Sequence, residues 1–125
     1  GTAWIADSRQ GNLIMKVDAN GNKLFEIKDI QFPVSPSVNP KTGECWVSSA
    51  SSRQVIKLGP NGQKLATVSG FMTPLSVSCD PKDGGAWVAD QVVGQVTKLD
   101  AKGNIVKQLA GFSLPSVVAV GYWAK

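Results

Sequence analysis

Apolar residues along this chain fall in short runs separated by turn chemistry. The run LSVSC (75–79) is followed by DPKDGG (80–85), where Pro fixes φ and Asp and Gly accept turn geometry. AWVAD (86–90) predicts a second short strand and, after the loop QVVG, QVTKLD (95–100) predicts a third. AKGN supplies a tight turn in which Gly103 is free to take positive φ, and IVKQLA predicts a fourth strand with apolar Val106 and Leu109. GFSLP then leads into SVVAV (116–120), a β-branched run equivalent to LSVSC. No segment keeps a helical period over the ~10–12 residues that identify a helix.

The pattern recurs. Trp4, Trp46 and Trp87 stand 42 and 41 residues apart, and Gly21, Gly62 and Gly103 stand 41 and 41 apart. Pro33, Pro74 and Pro115 follow those glycines by 12 residues each time. Lys16, Lys57 and Lys98 form a further column, as do Val17, Leu58 and Leu99. The chain is thus three repeats of about 41 residues, spanning roughly 1–38, 39–79 and 80–120 within a single domain of residues 1–125.

Four short strands in about 40 residues make an antiparallel meander, the blade of a β-propeller. The predicted class is all-β, with three four-stranded blades per chain. The first two strands of each unit are apolar on both faces, as strands sandwiched between blades must be. The last two carry the charge, and the Lys16, Lys57 and Lys98 column reads as a solvated outer position. Each tryptophan is expected to pack between neighbouring blades.

The motifs GAWVAD and QVTKLDAKGN resemble the NHL-type repeat of bacterial propeller proteins, over essentially the whole chain. The middle repeat departs from it, with Ser49 where the others have Asp7 and Asp90, and Gly59 where they have Asp18 and Asp100. The resemblance implies six blades and a secreted, periplasmic or cell-surface setting. Enzymes that resemble this repeat, amidating and antibiotic lyases, rely on histidines with a bound metal, and this sequence has no histidine.

If the strands are named a to d outward from the axis, the sequence reads b, c, d, then two full sets, then a final a strand at 116–120. Three blades do not close a ring; propellers have about four to eight. The expectation is a six-bladed ring formed by a homodimer, with strand 116–120 of one copy pairing the first strand of the other. The closure residues are Ala3, Trp4 and Ile5 on one side and Val117, Val118, Ala119 and Val120 on the other. Trp123 in the tail GYWAK is a candidate cap over this junction.

Composition narrows the chemistry. The net charge of +4 is mild, and its lysines and arginines are spread rather than clustered. No apolar run approaches the ~18 residues of a membrane span. Cys45 and Cys79 match no metal spacing and read as small hydrophobes. Asp7 and Asp90 read as acceptors for their own loops' backbone rather than as a cation ring, and Asp18 and Asp100 as turn residues. No catalytic residues, metal site or cofactor are expected, and the chain reads as a non-catalytic scaffold or binding module whose partner is itself. Two alternatives stand beside that: a ligand-binding segment of a bacterial NHL-repeat protein, and an RNA-binding propeller face. Both would use one end of the propeller, where Arg9, Arg53, Phe71, Met72 and Phe112 fall in b–c loops and d–a connections. The Phe of the GF..P corners also reads as a plug between blades.

Overall fold

The computed structural model describes residues 1–8 and 12–121. Eleven strands run through them, and no helix. The first three are β1 (Ala3–Asp7), β2 (Leu13–Val17) and β3 (Lys23–Ile27). Next come β4 (Pro33–Val38), β5 (Cys45–Ser49), β6 (Gln54–Leu58) and β7 (Lys64–Val68). The last four are β8 (Pro74–Cys79), β9 (Ala86–Asp90), β10 (Gln95–Leu99) and β11 (Ile105–Leu109). They form three antiparallel sheets in sequence order, β1-β2-β3, β4-β5-β6-β7 and β8-β9-β10-β11.

The repeat in sequence is a repeat in register. Trp4 faces Lys16, Trp46 faces Lys57 and Trp87 faces Lys98 across the corresponding strand pairs. A bulge follows that lysine in every sheet, between Lys16 and Val17, Lys57 and Leu58, and Lys98 and Leu99. The turns repeat as well. Asp18 Oδ1 accepts the N–H groups of Asn20 and Asn22, and Asp100 Oδ1 those of Lys102 and Asn104, all at 2.9 Å. Gly21 and Gly103 take φ of 83° and 91° in those turns, a region that glycine alone enters without cost. In the middle sheet Gly59 replaces the aspartate, and the turn closes on its N–H bond to the Gln63 carbonyl at 2.7 Å.

Sheets stack face to face. Between the first two lie Ile14 and Ile30 from one side and Cys45, Val47, Ile56 and Leu58 from the other, with Trp4, Ala6 and Ile27 packed on them. Between the second and third, Trp46, Val55, Val68 and Phe71 meet Val77, Cys79, Ala86, Val88 and Leu99. Each fully buried Val, Leu or Ile contributes about 1.5–3 kcal/mol. The exposed Lys64–Asp29 pair that also bridges two sheets, at 2.9 Å, falls in the class worth about 0–1 kcal/mol. Apolar burial between blades therefore dominates.

The lysine column is not the solvated position that the charge pattern suggested. Lys57 is 6% exposed and Lys98 8%. For Lys57 the neighbouring sheet covers the third strand, so the stem is sandwiched and the ammonium needs an acceptor, whereas Lys98 is held within its own blade by Asp83 and Asp80. Lys16 Nζ donates to the Pro60 carbonyl and Lys57 Nζ to the Ala101 carbonyl, each at 2.8 Å and each in the next blade. Lys57 Nζ also lies 5.5 Å from the centre of the Trp46 ring, a cation–π distance.

Residues 116–120, expected as a strand, have no ladder partner among the described residues. They lie beside β8, where Val120 N donates to Ser78 Oγ at 2.9 Å. Cys79 N donates to Ser37 Oγ at 2.8 Å in the same way, one repeat earlier. The segment thus occupies the place of the next innermost strand.

Two expectations follow. Burial pushes the Cys45 thiol up to about 12 and the Cys79 thiol up to about 11. A maleimide should leave both unmodified in the native protein at neutral pH and label both in concentrated guanidinium; rapid native labelling would contradict this packing. Backbone N–H donation, from Asn104 above all, holds the Asp100 carboxyl below its usual 3.8. That contribution is present above pH 3.8 and is lost as pH falls through the lowered value in the folded state. Asp100→Asn should accordingly flatten the acid limb of the stability–pH curve, measured by urea unfolding; a limb as steep as wild type would refute the assignment.

Candidate functional site

Two surfaces merit attention: the loop end of the propeller and the outer faces of the first and third sheets. At the loop end Arg53, in the β5–β6 turn, takes a φ of 57°. Its Nη1 approaches Met72 Sδ to 4.0 Å. Met72 and Phe32 are exposed there. Arg9 lies outside the described residues, as does Trp123. Phe71 is not part of this exposed end: it is buried in the core between the second and third sheets, so the plug reading of its corner is the one that fits.

Asp90 shows what organises this end. It is 3% exposed and closes β9. Against the expectation that it would accept from its own loop's backbone, it accepts N–H bonds from the connection ahead of β8. Met72 N lies 3.0 Å from Oδ2 and Thr73 N lies 2.7 Å from Oδ1. A carboxylate with both oxygens engaged by backbone amides is an anchor. In the middle repeat Ser49 performs the equivalent task with reversed polarity, its Oγ donating to the Gln31 carbonyl. Among the described residues no three His, Cys, Asp or Glu side chains converge, and no pocket is enclosed.

The outer faces differ. Ile30, Phe71 and Phe112 occupy one repeat column, at 1%, 5% and 47% exposure. The first two are plugs between sheets; the third has no sheet to plug against among the described residues. Leu109 is likewise exposed where its counterpart Val68 is buried. On the first sheet, Ile5 is exposed where Val47 and Val88 are buried. An exposed residue in one repeat and its buried counterparts in the others form a signal that the sequence carries only as a column.

Asp90→Ala would leave the part-buried amides of Met72 and Thr73 without their acceptor, which costs about 1 kcal/mol. The expected result is a lower urea midpoint with an unchanged slope, and an unaltered midpoint would refute the anchoring role.

No protein-family model matches the sequence, and no curated protein does. Solved structures do. Hydrazine synthase of Kuenenia stuttgartiensis superposes with a TM-score of 0.82 at 18% identity, over 93% of this chain and 34% of that one. Virginiamycin B lyase from Staphylococcus aureus gives 0.73 at 11% identity, over 88% of this chain and 38% of that one. BamB from Moraxella catarrhalis gives 0.70 at 16% identity, over 89% and 34%. This chain therefore spans little more than a third of the structures it resembles. At such identities the likeness is one of architecture, and that architecture is a run of consecutive β-propeller blades.

Proposed function

We propose that this chain is a non-catalytic propeller scaffold of the NHL-repeat type, whose working property is closure on a second copy of itself. The observation that carries this reading is the column of Ile30, Phe71 and Phe112, buried twice and open once. Around it stand two halves of a third core. The third sheet offers Trp87, Val96, Leu109 and Phe112, the counterparts of Trp46, Val55, Val68 and Phe71. The first sheet offers Ala3, Ile5, Met15 and Val17, the counterparts of Cys45, Val47, Ile56 and Leu58.

Strand edges agree with this. β1 is the inner edge strand of a three-stranded sheet, while 116–120 sits at an inner position with no ladder partner among the described residues. Pairing Val117–Val120 of one copy with Ala3–Ile5 of another satisfies both edges, and a two-fold axis repeats the contact. Two chains of three blades fall within the usual propeller range. A second reading rests on Phe32 and Met72, exposed beside Arg53 at the loop end: a face for a ligand or for single-stranded RNA.

Light scattering on the purified chain should give twice its 13.2 kDa. Phe112→Asp, which places a charge in the shared core, should give a folded monomer. A wild-type monomer that stays soluble, or a Phe112→Asp dimer as tight as wild type, would overturn closure on a second copy.

A further inference from the structure

The lysine column contains one member, Lys98, with no inter-blade acceptor among the described residues. Lys16 reaches the Pro60 carbonyl and Lys57 the Ala101 carbonyl, in both cases 44 residues ahead and at 2.8 Å. Pro60 and Ala101 occupy one position of the turn between the third and fourth strands, and Ala19 is the first member of that column. No described side chain donates to the Ala19 carbonyl. Lys98, the third lysine, turns back on its own blade, to Asp83 at 2.9 and 3.0 Å, Asp80 at 3.7 Å and the Leu99 carbonyl at 3.3 Å.

We propose that Lys98 Nζ of one copy donates to the Ala19 carbonyl of a second copy, one such bond at each of the two junctions of the closed ring. This rests on the closure proposed above. The surroundings suit it. A Cβ on Gly62 would lie 3.0 Å from Phe25, and one on Gly103 would lie 2.9 Å from Val68, because those turns abut the preceding blade. At Gly21 nothing lies within 4 Å. The first blade's turn is thus open where Leu109, the counterpart of Val68, would seat from a second copy, and Ala19 stands in that turn. Lys98 need not leave Asp83. Lys57 already bonds the Ala101 carbonyl while pairing with Glu44 at 3.3 Å, and an ammonium has three N–H groups.

The bond sets register. An apolar face permits sliding and rotation, whereas a buried ammonium that misses its carbonyl is penalised. Lys98 would therefore favour the one blade-to-blade offset that the internal junctions already use.

Sedimentation equilibrium on four chains tests this: wild type, Lys98→Met, Asp83→Ala and Lys82→Met. Lys98→Met should raise the dimer dissociation constant about 10²- to 10⁴-fold, because each dimer loses two charged hydrogen bonds. Lys82→Met, at an exposed position whose side chain makes none of the Lys98 contacts, should leave it within about twofold. Asp83→Ala removes the in-blade partner and leaves the donor, so the dimer should be as tight as wild type or tighter. An unchanged constant for Lys98→Met refutes the bond while leaving closure standing. Equal weakening by Asp83→Ala refutes it too, since Lys98 would then act only by bracing its own blade. Absence of a wild-type dimer removes closure itself, and the bond with it.

Discussion

Each sheet in this chain has apolar side chains on both faces, and a sheet that is apolar on both faces must be covered on both. That requirement organises everything else. The middle sheet meets it fully: β5 is buried along its whole length, and β6 at all but its first residue. The first and third sheets each meet it on one side. Four short strands bury too little alone, so the unit of stability is the junction between blades rather than the blade.

Because the junction is apolar, its polar groups are mostly matched across it, the indole N–H of Trp4 being a buried exception. The chain does this with a small repeated set of contacts. Serine hydroxyls on the inner strands receive the amide of the next inner strand, as Ser37 does from Cys79 and Ser78 from Val120. Lysines of the third strand reach turn carbonyls one blade on. At the loop end, Asp90 accepts from amides while Ser49 donates to a carbonyl. That last pair explains why the middle repeat can lose its aspartate and keep its corner. The connecting backbone presents a different group there, and the side chain is matched to it.

The faces left open by this logic are those where a further blade belongs. Under the proposed closure, a second copy there would complete a core whose two halves are apolar. In that arrangement Lys98 of one copy would face the open Ala19 turn of the other. Under the proposed closure, function would lie in the assembled ring and its loop end.

The alternation of short apolar runs with Asp-, Gly- and Pro-rich turns determined the strands, their order and the blade, because those features act within a few residues of one another. AWVAD became β9 with the bounds its pattern implies, and the Asp100 turn closed as its residue types require. The 41-residue repeat also made the stacking legible, since Trp46 and Val47 could be buried only between sheets. What only the tertiary structure decided is where each polar side chain points. Lys57 and Lys98 look like solvated lysines in the sequence, and Asp90 looks like a cap for its own loop. Their partners lie 44, 15 and 17–18 residues away, brought near by strand pairing and blade stacking. Local propensity acts over a few residues, whereas the acceptor of a buried charge is chosen by whichever backbone the packed neighbour presents.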